Sequence, residues 1–244
     1  MKTTLFAVAL FLAPNFVNSQ RILETTNGSW NNPNLSVETH KDYVVSGYTE
    51  TNPATGLLTP TFKINSLTGA PINSYYVDYP DSVYLMDFTI REAKNTIILT
   101  GMTSSLASGT PYKMIIAEVD LVTGAPVQSS LEYTYNGNSM VPHQVICSES
   151  TSQVTVVGTE ILGTVTSSNY AMIPKYGFVL GVDLTNFNAI IYPPIEMDLP
   201  AASVWDYDML ENITEVPGSG YFISGSCNAP GSGEQNLITV GTDY

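Results

Sequence analysis

Asn65-Ser-Leu-Thr-Gly-Ala-Pro-Ile72 and Asp120-Leu-Val-Thr-Gly-Ala-Pro-Val127 are near-copies whose first residues stand 55 positions apart. A period of that size means stacked copies of one supersecondary unit, none able to bury its apolar face alone. Working outward, each copy follows an apolar run, Thr61-Phe-Lys-Ile64 or Met114-Ile-Ile-Ala-Glu-Val119, and kindred runs recur at Gly177–Val182 and Leu237–Val240. Upstream lies a β-branched run ending in glycine, at Asp42–Gly47, Thr96–Gly101, Val154–Gly158 and Tyr221–Gly225; the glycines recur at intervals of 54, 57 and 67 residues. Apolar runs with a polar insert open the units, at Val83–Ile90, Met140–Cys147 and Val204–Leu210. A fourth run, such as Ile72–Val77 or Ile190–Tyr192, closes them.

Four short strands per unit, with no helix-period stripe, predict an all-β fold: a β-propeller-like repeat of about four four-stranded units, the last incomplete. The units fall at about 35–80, 81–137, 138–200 and 201–244, after a leader at 1–19 and a polar segment at 20–34. The turns have a mechanism. Asn65, Asp120, Asp183 or Asp243 can cap its own turn, and glycine supplies the positive φ that reverses the chain. Pro71 and Pro126 stiffen entry to the outer strand, where a missing N–H matters least.

The D-x-x-T-G segment after an apolar strand resembles the repeat of pyrroloquinoline-quinone-type propellers and their non-enzymatic relatives. The resemblance covers most of residues 36–244 in four units and is specific at the T-G turns of the first two. Unit three departs, since Asp183-Leu-Thr-Asn-Phe-Asn188 lacks the glycine. The tryptophan that locks blade to blade in quinone-binding members is missing from every unit. The chain thus resembles a non-enzymatic relative, and no quinone is expected.

Met1–Ser19 reads as a secretory signal: Lys2, a short apolar core at Leu5–Leu12, Pro14, and small residues before Gln20. Eight apolar residues are too few to span a bilayer. Loss of Lys2 takes the formal net charge from −14 to −15. Such a surface repels nucleic acid and anionic membranes, so neither nucleic-acid binding nor membrane insertion is expected. Cys147 and Cys227, an even count in an oxidising compartment, are expected to pair, and closing their ~80-residue loop would stabilise the fold by roughly 4 kcal/mol. Asn27, Asn34 and Asn212 head N-glycosylation sequons.

In a propeller the first strand of each blade lines the central channel. Aligned by sequence, Asp87, Gln144 and Asp208 share one place, preceded by Met86, His143 and Tyr207. With Trp205 and Asp206 they are the channel-lining or ligand-binding candidates. No cofactor is expected, calcium being the metal such an oxygen-rich set would suit, although no D-x-[DN]-x-[DN]-G loop occurs. Polar channel residues holding trapped water are the plainer reading. A glycoside hydrolase would need two carboxylates facing each other across a sugar ring, for which Asp87 and Asp208 are the pair to test. With no G-x-S-x-G elbow and two histidines, His40 and His143, nucleophilic catalysis has little footing. Fifteen tyrosines with Trp30 and Trp205 supply rings for interblade packing or for stacking on sugars and proteins. The expected function is an exported, non-catalytic module that binds extracellular protein or glycan or self-associates into a surface assembly. The rival is an extracellular glycoside hydrolase or quinoprotein-like oxidoreductase.

Overall fold

The computed structural model describes residues 36–41, 43–103, 110–162, 175–197, 208–216, 220–228 and 235–242. Fifteen strands, with no helix among the described residues, form four antiparallel sheets. Sheet one holds β1 (Ser36–His40), β2 (Tyr43–Thr51), β3 (Leu58–Ser66) and β4 (Pro71–Tyr76). Sheet two holds β5 (Val83–Arg91), β6 (Thr96–Thr103), β7 (Met114–Asp120) and β8 (Leu131–Tyr133). Sheet three holds β9 (Ser139–Ser148), β10 (Gln153–Ile161), β11 (Lys175–Asp183) and β12 (Asn186–Met197). Sheet four has three strands, β13 (Asp208–Val216), β14 (Gly220–Asn228) and β15 (Gln235–Thr242). Strands pair in sequence order throughout. The all-β, propeller-like repeat is therefore the fold, with three strands of the fourth unit among the described residues.

The first strand of each sheet packs on the sheet before it: β5 on β1–β3, β9 on β5–β7, β13 on β9–β11. Each sheet thus has a rear face toward its predecessor and a forward face toward its successor. Val45, Phe62 and Ile64 of sheet one meet Leu85, Phe88, Ile97, Leu99 and Leu121 of sheet two. Ile98, Met114 and Ile116 on the forward face of sheet two meet Val145, Val154, Val156 and Phe178. Val157 and Val179 meet Leu210, Ile213, Tyr221 and Ile223 of sheet four. A strand covered on both faces needs a continuous apolar run, and Thr96–Gly101 and Gln153–Ile161 are buried along their whole length. In β14 burial alternates instead, with Tyr221 and Ile223 inside and Phe222 48% exposed.

A β-bulge recurs in the first strand of sheets two, three and four. Met86, His143 and Glu211 are the inserted residues, since the register skips between Leu85 and Asp87, between Pro142 and Gln144, and between Leu210 and Asn212. Opposite each bulge stands a glycine of the second strand: Gly101, Gly158 and Gly225. The bulge drives a carbonyl toward that glycine. A Cβ there would lie 2.5 Å from the Tyr84 oxygen, 2.3 Å from that of Val141 and 1.8 Å from that of Met209. Glycine is required because backbone occupies the place of a side chain. Gly47 does not belong to this series. It turns toward sheet two, and a Cβ there would lie 2.8 Å from the Phe62 ring and 2.9 Å from Leu85. Alignment through the turn pairs Tyr43↔Ser66 and Thr96↔Asp120 puts Tyr48 in the place of Gly101.

The turns after the third strands also differ. Gly69 and Gly124 adopt φ of 84° and 72°, as the T-G motif demands. The Asp120 carboxylate caps a five-residue turn, accepting from the N–H groups of Val122 and Thr123 and from the Thr123 hydroxyl. In the first copy the turn begins one residue later. Ser66, not Asn65, caps it, its hydroxyl accepting from the Ala70 N–H. In consequence Leu121 and Leu184 are fully buried against the preceding sheet, whereas Leu67 is 60% exposed. Sheet one has no predecessor among the described residues, so no apolar pocket draws Leu67 inward. Asp243 lies outside the described residues.

Tyr75 and Gln128 each tie one unit to the turn of the next. Tyr75 of β4 lies over Gly124, where a Cβ would come within 2.3 Å of its ring, and its hydroxyl donates to the Leu121 carbonyl at 3.0 Å. Gln128 donates in the same way to the Leu184 carbonyl at 3.2 Å. Gly158→Ala should lower stability by about 3 kcal/mol, because it must displace the Val141 carbonyl or Phe178. Gly69→Ala, strained only through its positive φ, should lower it by about 1 kcal/mol. Urea unfolding midpoints would rank the two.

Candidate functional site

The residue after each bulge faces the next sheet. In sheet two this is Asp87, whose Oδ2 accepts from the Val145 N–H of β9 at 3.1 Å. In sheet three it is Gln144, whose Oε1 accepts from the Ile213 N–H of β13 at 2.6 Å. Ser36 holds the corresponding place in sheet one, paired with Gly47 as Asp87 is with Thr100, and its hydroxyl donates to Asp87 Oδ1 at 3.2 Å. Two of the residues expected in the channel are thus latches from sheet to sheet. Their oxygens are engaged by protein donors.

The fourth member of the series is Asn212, not Asp208. Asn212 pairs with Ser224, one residue before Gly225, as Asp87 and Gln144 pair with Thr100 and Val157 before their glycines. Asp208 starts β13 opposite Cys227, four residues from the latch position and so about 13 Å along the strand. The structure does not bring Asp87 and Asp208 to one level. His143, the inserted residue of its bulge, shares a hydrogen bond of 2.9 Å between its Nε2 and Thr159 Oγ1. Trp205 and Asp206 lie outside the described residues, as do Asn27 and Asn34.

Sequence reasoning missed Glu38, whose period-2 spacing from Ser36 carries the only hint. Its Oε2 accepts from the Ile90 N–H at 2.9 Å. Burial pushes its carboxyl up to about 8; the Ile90 hydrogen bond opposes the rise and the neighbouring Asp87 charge adds to it. Two acids therefore meet at the joint of sheets one and two, one of them holding its proton near neutrality. A second clasp sits at the strand ends. Arg91 donates through Nε to Glu149 Oε1 at 2.6 Å and through Nη1 to the fully buried Glu118 at 3.2 Å. Thr96 and Gln128 each donate to Glu118 at 2.6 Å, so that buried charge is paired and hydrogen-bonded as it must be. His40, at the place of Arg91, stands 3.8 Å from Glu92, and Ser148 donates to Glu215 of sheet four at 2.8 Å.

Cys147 carries a free thiol, which burial pushes up to about 12. The expected pairing with Cys227 is overturned by register. Ser148 lies beside Glu215, near the end of β13, whereas Cys227 is paired with Asp208 at its start. Seven residues of strand, about 23 Å, separate those levels, far beyond the span of a disulfide. Among the described residues no three His, Cys, Asp or Glu side chains come together in a metal-binding group.

No protein-family model matches the chain, and no curated protein matches it. The structure is similar to the endo-arabinase of Bacteroides thetaiotaomicron VPI-5482, with a TM-score of 0.52 and 10% identity, over 86% of this chain and 75% of that one. It also overlaps an acylaminoacyl peptidase of Pyrococcus horikoshii, with a TM-score of 0.40 and 12% identity, over 86% of this chain and 32% of that one, too slight a likeness to bear on the fold. At such identity the first likeness is one of fold alone.

Glu38 gives a pH signature. Its folded pKa lies above the unfolded value of 4.5, so its proton stabilises the fold fully below about pH 4.5, and that contribution is lost as the pH climbs to about 8. Glu38→Gln should flatten the fall in urea midpoint across that window, a difference on the order of a few kcal/mol between its ends.

Proposed function

We propose that the protein is an exported, non-catalytic β-propeller-like module that binds a protein or glycan outside the cell, or builds a surface assembly. The carrying observation is how the inner-strand polar groups are used. Asp87 and Gln144 bind sheet to sheet, while among the described residues sheets one and four each have a face that no other sheet covers. A module built this way has its polar groups committed to rigidity and its outer faces free for partners. The leader at 1–19 and the low content of charge agree with export. Among the described residues no helix is long and apolar enough to cross a membrane. Asn212 is exposed, so its sequon is open to a glycan in a host that adds one. The T-G turns resemble those of the quinone-type propellers, and the missing tryptophans favour a likeness to their non-enzymatic relatives.

The rival reading is a glycoside hydrolase or a quinoprotein-like oxidoreductase. The endo-arabinase likeness concerns fold, and fold alone assigns no activity. Affinity electrophoresis against a panel of polysaccharides, run beside a reducing-sugar assay, separates the two classes. Retardation without release of reducing ends is the expected outcome; release of reducing ends by the purified protein would establish the enzyme instead. Calcium chelation should leave the unfolding temperature and the solution mass unchanged, and a fall of several degrees would reveal a bound ion.

A further inference from the structure

Every joint in this chain sets the forward face of one sheet on the rear face of the next. Among the described residues two faces are left over: the forward face of sheet four and the rear face of sheet one. The first is equipped as the buried forward faces are. Phe222 stands three residues before Gly225, as Ile98 stands before Gly101 and Thr155 before Gly158. Ile98 and Thr155 are fully buried, yet Phe222 is 48% exposed, and Val216 on the same face is 43% exposed. Asn212 holds the latch position of Ser36, Asp87 and Gln144, and it is exposed.

The rear face of sheet one is the matching half. Val44 and the pair Ser46↔Lys63 stand where sheet two has Ile97 and the pair Leu99↔Ala117. Lys63 lies over the Tyr48 ring at 4.9 Å from its centroid, and Ile72 on the neighbouring strand is 48% exposed. By register Val37, paired with Ser46, occupies the place of Val145 and Ile213, whose N–H groups the latches of sheets two and three take up. Serine and lysine in place of leucine and alanine make this a wetter joint than the internal ones, suited to reversible contact.

We infer that two copies of this chain associate head to tail, the forward face of sheet four in one covering the rear face of sheet one in the other. Asn212 then continues the latch series onto Val37 of the second copy, and Phe222 is covered as Ile98 is. The contact is heterologous, so it propagates into a ring or a filament rather than stopping at a symmetric pair. This rests on the binding-or-assembly reading and specifies its surface. A glycan on Asn212 would occupy the same face, so glycosylation and association exclude each other.

Thr214→Ala removes the glycan acceptor and keeps the Asn212 amide, and serves as parent for the test. Light scattering should show its mass rising with concentration past two chains. Phe222→Asp in that parent, and separately Ser46→Asp with Lys63→Glu, should each hold the mass at one chain, with urea midpoints unchanged. An equimolar mixture should give a species of two chains that grows no further, since one variant keeps an intact sheet four and the other an intact sheet one. A parent that stays monomeric at 100-fold rising concentration overturns the inference. So does dimerisation of the Ser46→Asp, Lys63→Glu variant by itself, which would mean sheet four pairing with sheet four. A monomeric parent that still binds a polysaccharide would sink this contact and leave the module reading standing.

Discussion

One carboxylate ties three sheets together. Asp87 accepts from Ser36 in the sheet behind through one oxygen and from the Val145 N–H in the sheet ahead through the other. Hydrogen bonds to an ionised acceptor are the stronger kind, and burial raises the cost of leaving either partner unmade. The group sits where the two largest apolar clusters adjoin. Gln144 repeats the device one sheet further on without charge. The stack is thus a chain of nearest-neighbour joints, as repeat proteins are, with a polar latch threaded along its inner strands.

That latch needs the bulge. An inserted residue in the first strand turns the next side chain outward and pushes a carbonyl at the opposing strand. Only glycine can receive that carbonyl, which is why Gly101, Gly158 and Gly225 follow β-branched runs that otherwise favour bulk. The Tyr75 and Gln128 locks form a second, outer series, each donating to the carbonyl of a buried leucine in the next unit's turn. Inner and outer ties together leave each middle sheet held at both edges and covered on both faces. Among the described residues the first and last sheets each have one face without a neighbour, and Leu67 lies in solvent where Leu121 and Leu184 are buried.

The site residues were harder to read than the fold. Asp87, Gln144 and His143 were legible as inner-strand polar groups, because polar inserts in apolar runs stand out. Their role was not, since a latch and a ligand-binding group have the same composition and differ only in what they face. Asp208 was misplaced because Val204–Leu210 is the more apolar segment, whereas the true counterpart Asn212 sits among Glu211, Thr214 and Glu215 on a strand with one wet face. Glu38 gave almost no signal. Its raised pKa comes from burial between sheets, a property of two segments whose contact residues, Glu38 and Ile90, stand 52 residues apart.

Local chemistry determined the period, the four-strand unit, the positive-φ turns at Gly69 and Gly124, and hence the all-β propeller-like class. Those features depend on neighbours within a few residues, where spacing and turn preference speak directly. The tertiary structure alone decided register: that Tyr48 rather than Gly47 matches Gly101, that Ser66 rather than Asn65 opens its turn, and that the two cysteines lie at opposite ends of adjoining sheets. The physical reason is the twofold alternation of a strand. A single inserted or displaced residue sends every later side chain to the other face, and only packing against the next sheet selects which face is which.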